Sequence, residues 1–425
     1  MRSANGPRRA RLGSFAAALL ILVPTRAIAG PGDPDDSFGN GGTVTTDFGR
    51  TDPDRAFDMA IQPNGRIVLV GQADLASVDA AIARYRPTGA PDRTFAGDGR
   101  RADDLLGGFD RAEAVALQDD GKIVTVGFAF DGKDDRSAIL RFKEGGKLDA
   151  TFAGDGVRVL DLAPKADDAF SAVAIQPDAR IVAVGSSHGD VIVARFRASG
   201  GLDGAFGHRG IRKIDLSRED IGSAVLLQRD GRIVVGGTVS AGGGDFAVAR
   251  LEPNGGLDRS FSGDGVRVVR FSARRDGLEA LAAQGRKIVA VGFAASSPSE
   301  DDFAIAQLDS GGSLDDRFGG GDGMRTFGFG AHTEQSLDVA AQPNGKIVVA
   351  GWAWNGTDED FAVARLNDRG FLDSKFGVDG RTTTDFGTGN DHATAVGIDE
   401  NGRVVVAGYV RVPLDDDFGI ARYMG

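Results

Sequence analysis

Short apolar bursts alternate with Gly- and Asp-rich turns along nearly the whole chain, and four kinds of segment recur in a fixed order. Segment A alternates small and apolar residues, as in Ala112-Glu113-Ala114-Val115-Ala116-Leu117. Segment B is a continuous apolar run such as Ile347-Val348-Val349-Ala350. Segment C alternates again, as in Phe361-Ala362-Val363-Ala364-Arg365, and segment D is the most polar, as in Thr43 to Phe48 or Arg381 to Phe386. Period-two alternation over four to eight residues predicts β-strands. The A–B connection is the sharpest local signal. Gln62-Pro63-Asn64-Gly65 places Pro second and Gly fourth, which suits a type I turn closed by a Gly bulge.

The Phe of the motif D-x-x-F gives the period. It falls at Phe38, Phe95, Phe152, Phe206, Phe261, Phe318 and Phe376, with spacings of 57, 57, 54, 55, 57 and 58 obtained by subtraction. Small residues in A suit a crowded axis, the apolar run in B suits burial on both faces, and the polar D suits an outer edge. This gradient predicts an all-β, seven-bladed β-propeller with four antiparallel strands per blade. The chain offers a lone D segment at 43–48 and only A, B and C at its far end (Ala393–Asp399, Arg403–Gly408, Phe418–Tyr423). The expectation is therefore closure by an N-terminal outer strand that completes the last blade. An open β-solenoid would need distinct capping repeats.

The pattern A-x-A-x-A-x-Q-P-D-G-K-I-V-V-A-G, then D-F-A-x-A-R, then L-D-x-x-F-G-x-x-G resembles the delta-60 repeat family over residues 33–425. The resemblance implies a propeller of NHL-like strand order of the kind found in bacterial exported proteins. It implies no catalytic residues.

The first residues depart from the repeat. Arg2, Arg8, Arg9 and Arg11 precede the apolar run Phe15–Val23, and Ala27-Ile28-Ala29 fits a signal-peptidase site. Residues 1–29 are expected to be a signal peptide and 30–425 a single propeller, exported to the periplasm, the medium or the cell surface. Removing 1–29 removes five Arg and no acid, so the charge becomes 44 − 61 = −17. That balance disfavours nucleic acid and anionic membrane surfaces as partners. The chain has no Cys, so thiolate chemistry and disulfides are excluded. The fold must be held by packing alone, and a monomer that does not insert into membranes is expected.

Three sets of residues could carry chemistry. An acidic column, Asp79, Asp190, Asp245, Asp302, Asp360 and Asp417, lies five residues before the end of each C segment, with Arg136 in the second copy. It could hold Ca²⁺, or each Asp could cap its B–C turn by accepting backbone N–H groups. Recurrence in nearly every copy favours the turn role. No other cofactor is implied. A basic column, Arg84, Arg141, Arg195, Arg250, Arg365 and Arg422 with Gln307 as the exception, is expected to pair with the D-segment acids Asp47, Asp104, Asp161, Asp215 and Asp385. Trp352 and Trp354, two residues apart, would share one side with Asp358 and Glu359 following, as a ligand-stacking platform or as rim packing. His188, His208, His332 and His392 occupy unrelated positions and are expected to be exposed loop residues without metal-ligand spacing.

The A–B turns are uniform, whereas the B–C and D–A connections vary in length and hold much of the acid. A site on a rigid scaffold is expected on that variable face. The reading that follows is a non-enzymatic binding or structural module for a protein or glycan. The alternative is a Ca²⁺-supported hydrolase or lyase on the same face, which would need His, Tyr, Arg and carboxylates from different blades to converge.

Overall fold

The computed structural model describes residues 29–49, 53–240, 243–330, 332–413 and 415–425; the remainder of the expected signal peptide lies outside them. Among the described residues there are seven four-stranded antiparallel sheets and no helix. None of the described residues forms a helix long and apolar enough to cross a membrane. Blades 1 to 6 span 55–103, 110–160, 168–214, 220–269, 276–327 and 334–384. In each, the strands follow in the order A-B-C-D. The seventh sheet joins His392–Ile398, Val404–Arg411 and Asp416–Tyr423 to Thr43–Thr46, with Thr43 opposite Ala421 and Thr46 opposite Phe418.

Each innermost strand carries one β-bulge. The extra residues are Phe57, Glu113, Ser171, Ser223, Glu279, Leu337 and Thr394, where the A–B register shifts by one. A bulge sharpens the local twist and re-aims a side chain. It also explains the Gly that closes every B run. A Cβ on Gly71, Gly127 or Gly351 would come within 1.9 Å of the carbonyl oxygen of Arg55, Arg111 or Gln335, just before the bulge. Only hydrogen fits there. At the A–B turn, Gly65 N–H donates to the Gln62 carbonyl at 2.8 Å and Gly65 sits at φ 76°, a left-handed angle that glycine adopts without strain.

The core lies between blades rather than at the axis. The B and C strands are buried almost throughout, and all seven ruler Phe side chains are fully buried. The basic column does not pair with the D-segment acids, which corrects that expectation. Arg141 Nε instead donates to Asp149 Oδ2 at 2.9 Å, the Asp of D-x-x-F, and its guanidinium lies 4.9 Å from the Phe152 ring centre. Its Nη1 reaches the Ala198 carbonyl of the next blade at 2.5 Å. The same staple recurs at Arg84/Asp92, Arg195/Asp203, Arg250/Asp258, Arg365/Asp373 and Arg422/Asp35. The physical reason is the turn after C, which brings the Asp eight residues on back beneath the Arg in five copies, while at Arg422 the N-terminal Asp35 takes that place. Burial pushes Asp258 up, but hydrogen bonds from Ser260 and the Arg250 guanidinium outweigh it and hold the carboxyl at about 2. In blade 5 the column is Gln307, and Lys287 restores the charge by bonding both Gln307 Oε1 and Asp315.

Candidate functional site

The bulges line the axial channel with unlike side chains. A cavity of about 530 Å³ opens there, with Phe57, Arg111, Glu113 and Glu279 among its walls. Asp58 and Asp338 line the same cavity. Each accepts a backbone N–H of the next blade, Val115 and Val396 respectively, at 2.7 Å. Burial pushes both carboxyls to about 7, and the Asp338 charge adds to the rise at Asp58.

The B–C and D–A connections meet on one rim, and there blades 6, 7 and 1 converge. His392, the first residue of its strand, stacks on Trp352 with ring centres 5.1 Å apart and planes 12° apart. Its Nε2 bonds Glu359, and its Nδ1 lies 2.6 Å from the Tyr409 hydroxyl. A neutral imidazole protonated at Nε2 donates to Glu359 and accepts from Tyr409. Burial pushes the Tyr409 hydroxyl up to about 12 against the opposing pull of Arg55, whose guanidinium lies 5.0 Å from its ring. Arg111 continues the strip, 3.8 Å from the Phe57 ring. Beside the strip, Trp354 walls a cavity of about 360 Å³ with Ser299, Glu300, His332, Thr333 and Glu359.

The candidate residues of the sequence divide accordingly. Trp354 and Glu359 share one pocket; Trp352 is nearly covered by His392. Asp358 ties loops together, accepting from Asn355 Nδ2 at 2.6 Å and from Gly389 N–H at 2.8 Å. The expectation that His392 is an exposed loop residue is overturned: it opens a strand and is half-buried between two rings.

The acidic column also needs correction. Among the described residues, no backbone N–H bond ends on Asp79, Asp190, Asp245, Asp302, Asp360 or Asp417. Side chains serve them instead, such as Ser77 at Asp79 and Asn355 at Asp360. The capping work belongs to a column one turn away that sequence reasoning missed: Asp54, Asp110, Asp168, Asp220, Asp276, Glu334 and Asp391. These accept the N–H groups of the D–A loops, as Asp276 does from Phe271 at 2.8 Å and Ser272 at 3.0 Å. Their near-constant spacing was the available signal. Tyr409 and Arg55 were missed because a rim position identifies itself only when neighbouring blades are assembled.

The three acidic columns meet at the blade junctions. At 6/7, Asp360, Asp385 and Asp391 gather carboxylate oxygens within 4.8 Å of one another, and so do Asp417, Asp47 and Asp54 at 7/1 and Asp79, Asp104 and Asp110 at 1/2. Like charges this close repel by roughly 1–4 kcal/mol per pair, depending on how far water screens them. Burial first, then the neighbouring carboxylates, pushes Asp417 to about 7. Asp391 is driven to about 7 mainly by burial, and Asp110 to about 6 likewise. The other junctions differ. Arg136 stands in the acidic column at 2/3, 3.1 Å from Asp161. Lys213 pairs with Asp190 at 3/4, and Arg270 bonds Asp245 at 2.6 Å at 4/5. At 5/6 Gly328 replaces the D-segment acid.

Fold and rim together define a seven-bladed β-propeller repeat protein. Five of its segments, 62–95, 118–152, 228–261, 286–318 and 342–376, match the model described as Domain of unknown function (DUF5122) beta-propeller. Each runs from an A–B turn to a ruler Phe. No curated protein sequence matches the chain. Among solved structures, virginiamycin B lyase from Staphylococcus aureus is similar at 9% identity and TM-score 0.52, covering 89% of this chain and 98% of that one. Sqt1 from Chaetomium thermophilum is similar at 13% identity and TM-score 0.47, over 88% and 96%. The polysaccharide lyase Uly1 gives 11% identity and TM-score 0.48, over 86% and 88%. These likenesses concern the fold.

Proposed function

We propose that the protein is an exported binding module that takes a carbohydrate on the B–C/D–A rim over blades 5 and 6. The observation that carries this reading is the Trp354 pocket. One indole stands among the hydroxyls of Ser299 and Thr333 and the carboxylates of Glu300 and Glu359, in a space of about 360 Å³. An aromatic face with hydrogen-bonding groups around it complements a sugar ring, apolar on its C–H faces and polar at its edge. The acidic surroundings favour neutral or amino sugars over uronates. The expected N-terminal signal peptide supports export. Array binding of neutral, amino and acidic oligosaccharides tests the reading. Trp354→Ala is expected to lose at least tenfold in affinity for the best neutral or amino sugar, and unchanged affinity would refute the site.

A second reading is catalytic, and one observation favours it. Glu359, His392 and Tyr409 form a hydrogen-bonded relay at the channel mouth, drawn from blades 6 and 7. Such a relay can hold a proton for a hydrolase or lyase. Mass analysis of oligosaccharides after incubation separates the readings: intact sugars support binding alone, and shortened or unsaturated products support catalysis.

A further inference from the structure

We propose that the acidic triads at junctions 6/7, 7/1 and 1/2 each bind a hard divalent cation, Ca²⁺ by ligand type, and that Arg136, Lys213 and Arg270 are its built-in substitutes at 2/3, 3/4 and 4/5. The proposal goes beyond the carbohydrate reading and does not depend on it.

Three observations carry it. The first is distance. Two oxygens bound to one Ca²⁺ at about 2.4 Å lie at most about 4.8 Å apart, and the carboxylate oxygens of each triad meet that limit. The second is an unsatisfied group in every triad, a state that Asp168 Oδ1 shares at 2/3, where Arg136 pairs with Asp161 instead. Asp110 Oδ1, Asp360 Oδ1 and Asp417 Oδ1 are buried without a hydrogen-bond partner, on residues only 0%, 5% and 7% exposed. Buried carboxylate oxygens without a donor are rare because nothing replaces the lost water. A cation would satisfy all three.

The third is a comparison inside the molecule. The repeat places similar acids at every junction, so seven versions of one position can be compared. Where a protein cation is present, it sits among these acids: Arg136 with Asp161, Lys213 with Asp190, Arg270 with Asp245. Arg136 and Arg270 come from different strands, yet both deliver a guanidinium to the equivalent place. At 5/6 one acid is lost instead. The three junctions that keep all three acids and receive none of these cations are consecutive, and they adjoin Trp352, His392, Tyr409 and Arg55. Each triad brings one carboxylate oxygen per residue to that spacing, and water would complete the six to eight oxygens that Ca²⁺ takes. Bound there, Ca²⁺ would pin the D–A loops under that rim.

The test uses the full mature chain, stripped with EDTA and titrated with CaCl₂ by calorimetry and thermal unfolding. Up to three equivalents are expected, with a Tm rise of several degrees that EDTA reverses and Mg²⁺ reproduces weakly. Asp360→Asn should lose one equivalent. Because that variant could fold poorly, Asp79→Arg, which copies Arg136, gives the complementary arm: it should raise the Ca²⁺-free Tm and also remove one equivalent. The absence of heat and of a Tm shift at 5 mM CaCl₂ would overturn the proposal, as would wild-type stoichiometry in both variants.

Discussion

The two rims of the propeller are built from the same repeats and behave in opposite ways. On the A–B/C–D rim, six Arg–Asp–Phe staples recur with nearly identical geometry, and the seventh is rebuilt from Lys287, Gln307 and Asp315. On the B–C/D–A rim the junctions diverge: three keep an Asp triad, three carry Arg136, Lys213 or Arg270 among their acids, and one has lost its D-segment acid to Gly328. The repeated groups hold one blade to the next, so any departure must be compensated, as Lys287 compensates Gln307. The groups that vary freely are those the scaffold does not need.

The largest effect expected from this contrast is at a staple. Arg141→Ala leaves Asp149 buried without its cation, so a loss of about 3–5 kcal/mol is expected in denaturant unfolding. Next comes the bulge. Gly127→Ala drives a methyl into the Arg111 carbonyl and should cost about 2–3 kcal/mol by the same measurement.

The channel predicts a pH effect of intermediate size. Asp58 and Asp338 have folded-state values of about 7, above the roughly 3.9 of an unfolded Asp. The folded state therefore holds these protons more tightly. Their contribution to stability is full below about pH 4 and is lost as pH rises towards 7. Glu279, pushed to about 7 by burial in the same channel, and Glu113, raised by burial, act in the same sense. The fall in Tm between pH 5 and pH 8 should shrink in the Asp58→Asn/Asp338→Asn double variant. An unchanged slope would show that these groups do not titrate there.

On the variable rim the stability effects should be small. Tyr409→Phe removes one partly exposed hydrogen bond and should cost about 1 kcal/mol or less in urea unfolding.

This division also explains what could be read from the chain before folding. The seven Phe residues, the A–B turn and the apolar B runs announce the blades because each is a local pattern repeated seven times. The staple was misassigned because the Arg sits one strand away from two acidic columns, and sequence spacing does not say which one turns back beneath it. The rim cluster was not legible for a stronger reason. Glu359, His392 and Tyr409 come from two blades and three strands, and their register depends on where the bulge at Thr394 places the strand start. Asp358 looked like a ligand group because it adjoins Glu359, yet the strand beginning at Glu359 sends the two side chains to different tasks.

Trp352 and Trp354 are the only tryptophans of the chain, and both stand on the variable rim. Intrinsic fluorescence therefore reports on that rim alone. Titration with the oligosaccharide that binds best on the array should shift or quench the emission, saturating at the same concentration as the calorimetric signal. Calorimetric binding that leaves the emission of both tryptophans unchanged would place the ligand elsewhere and contradict the account.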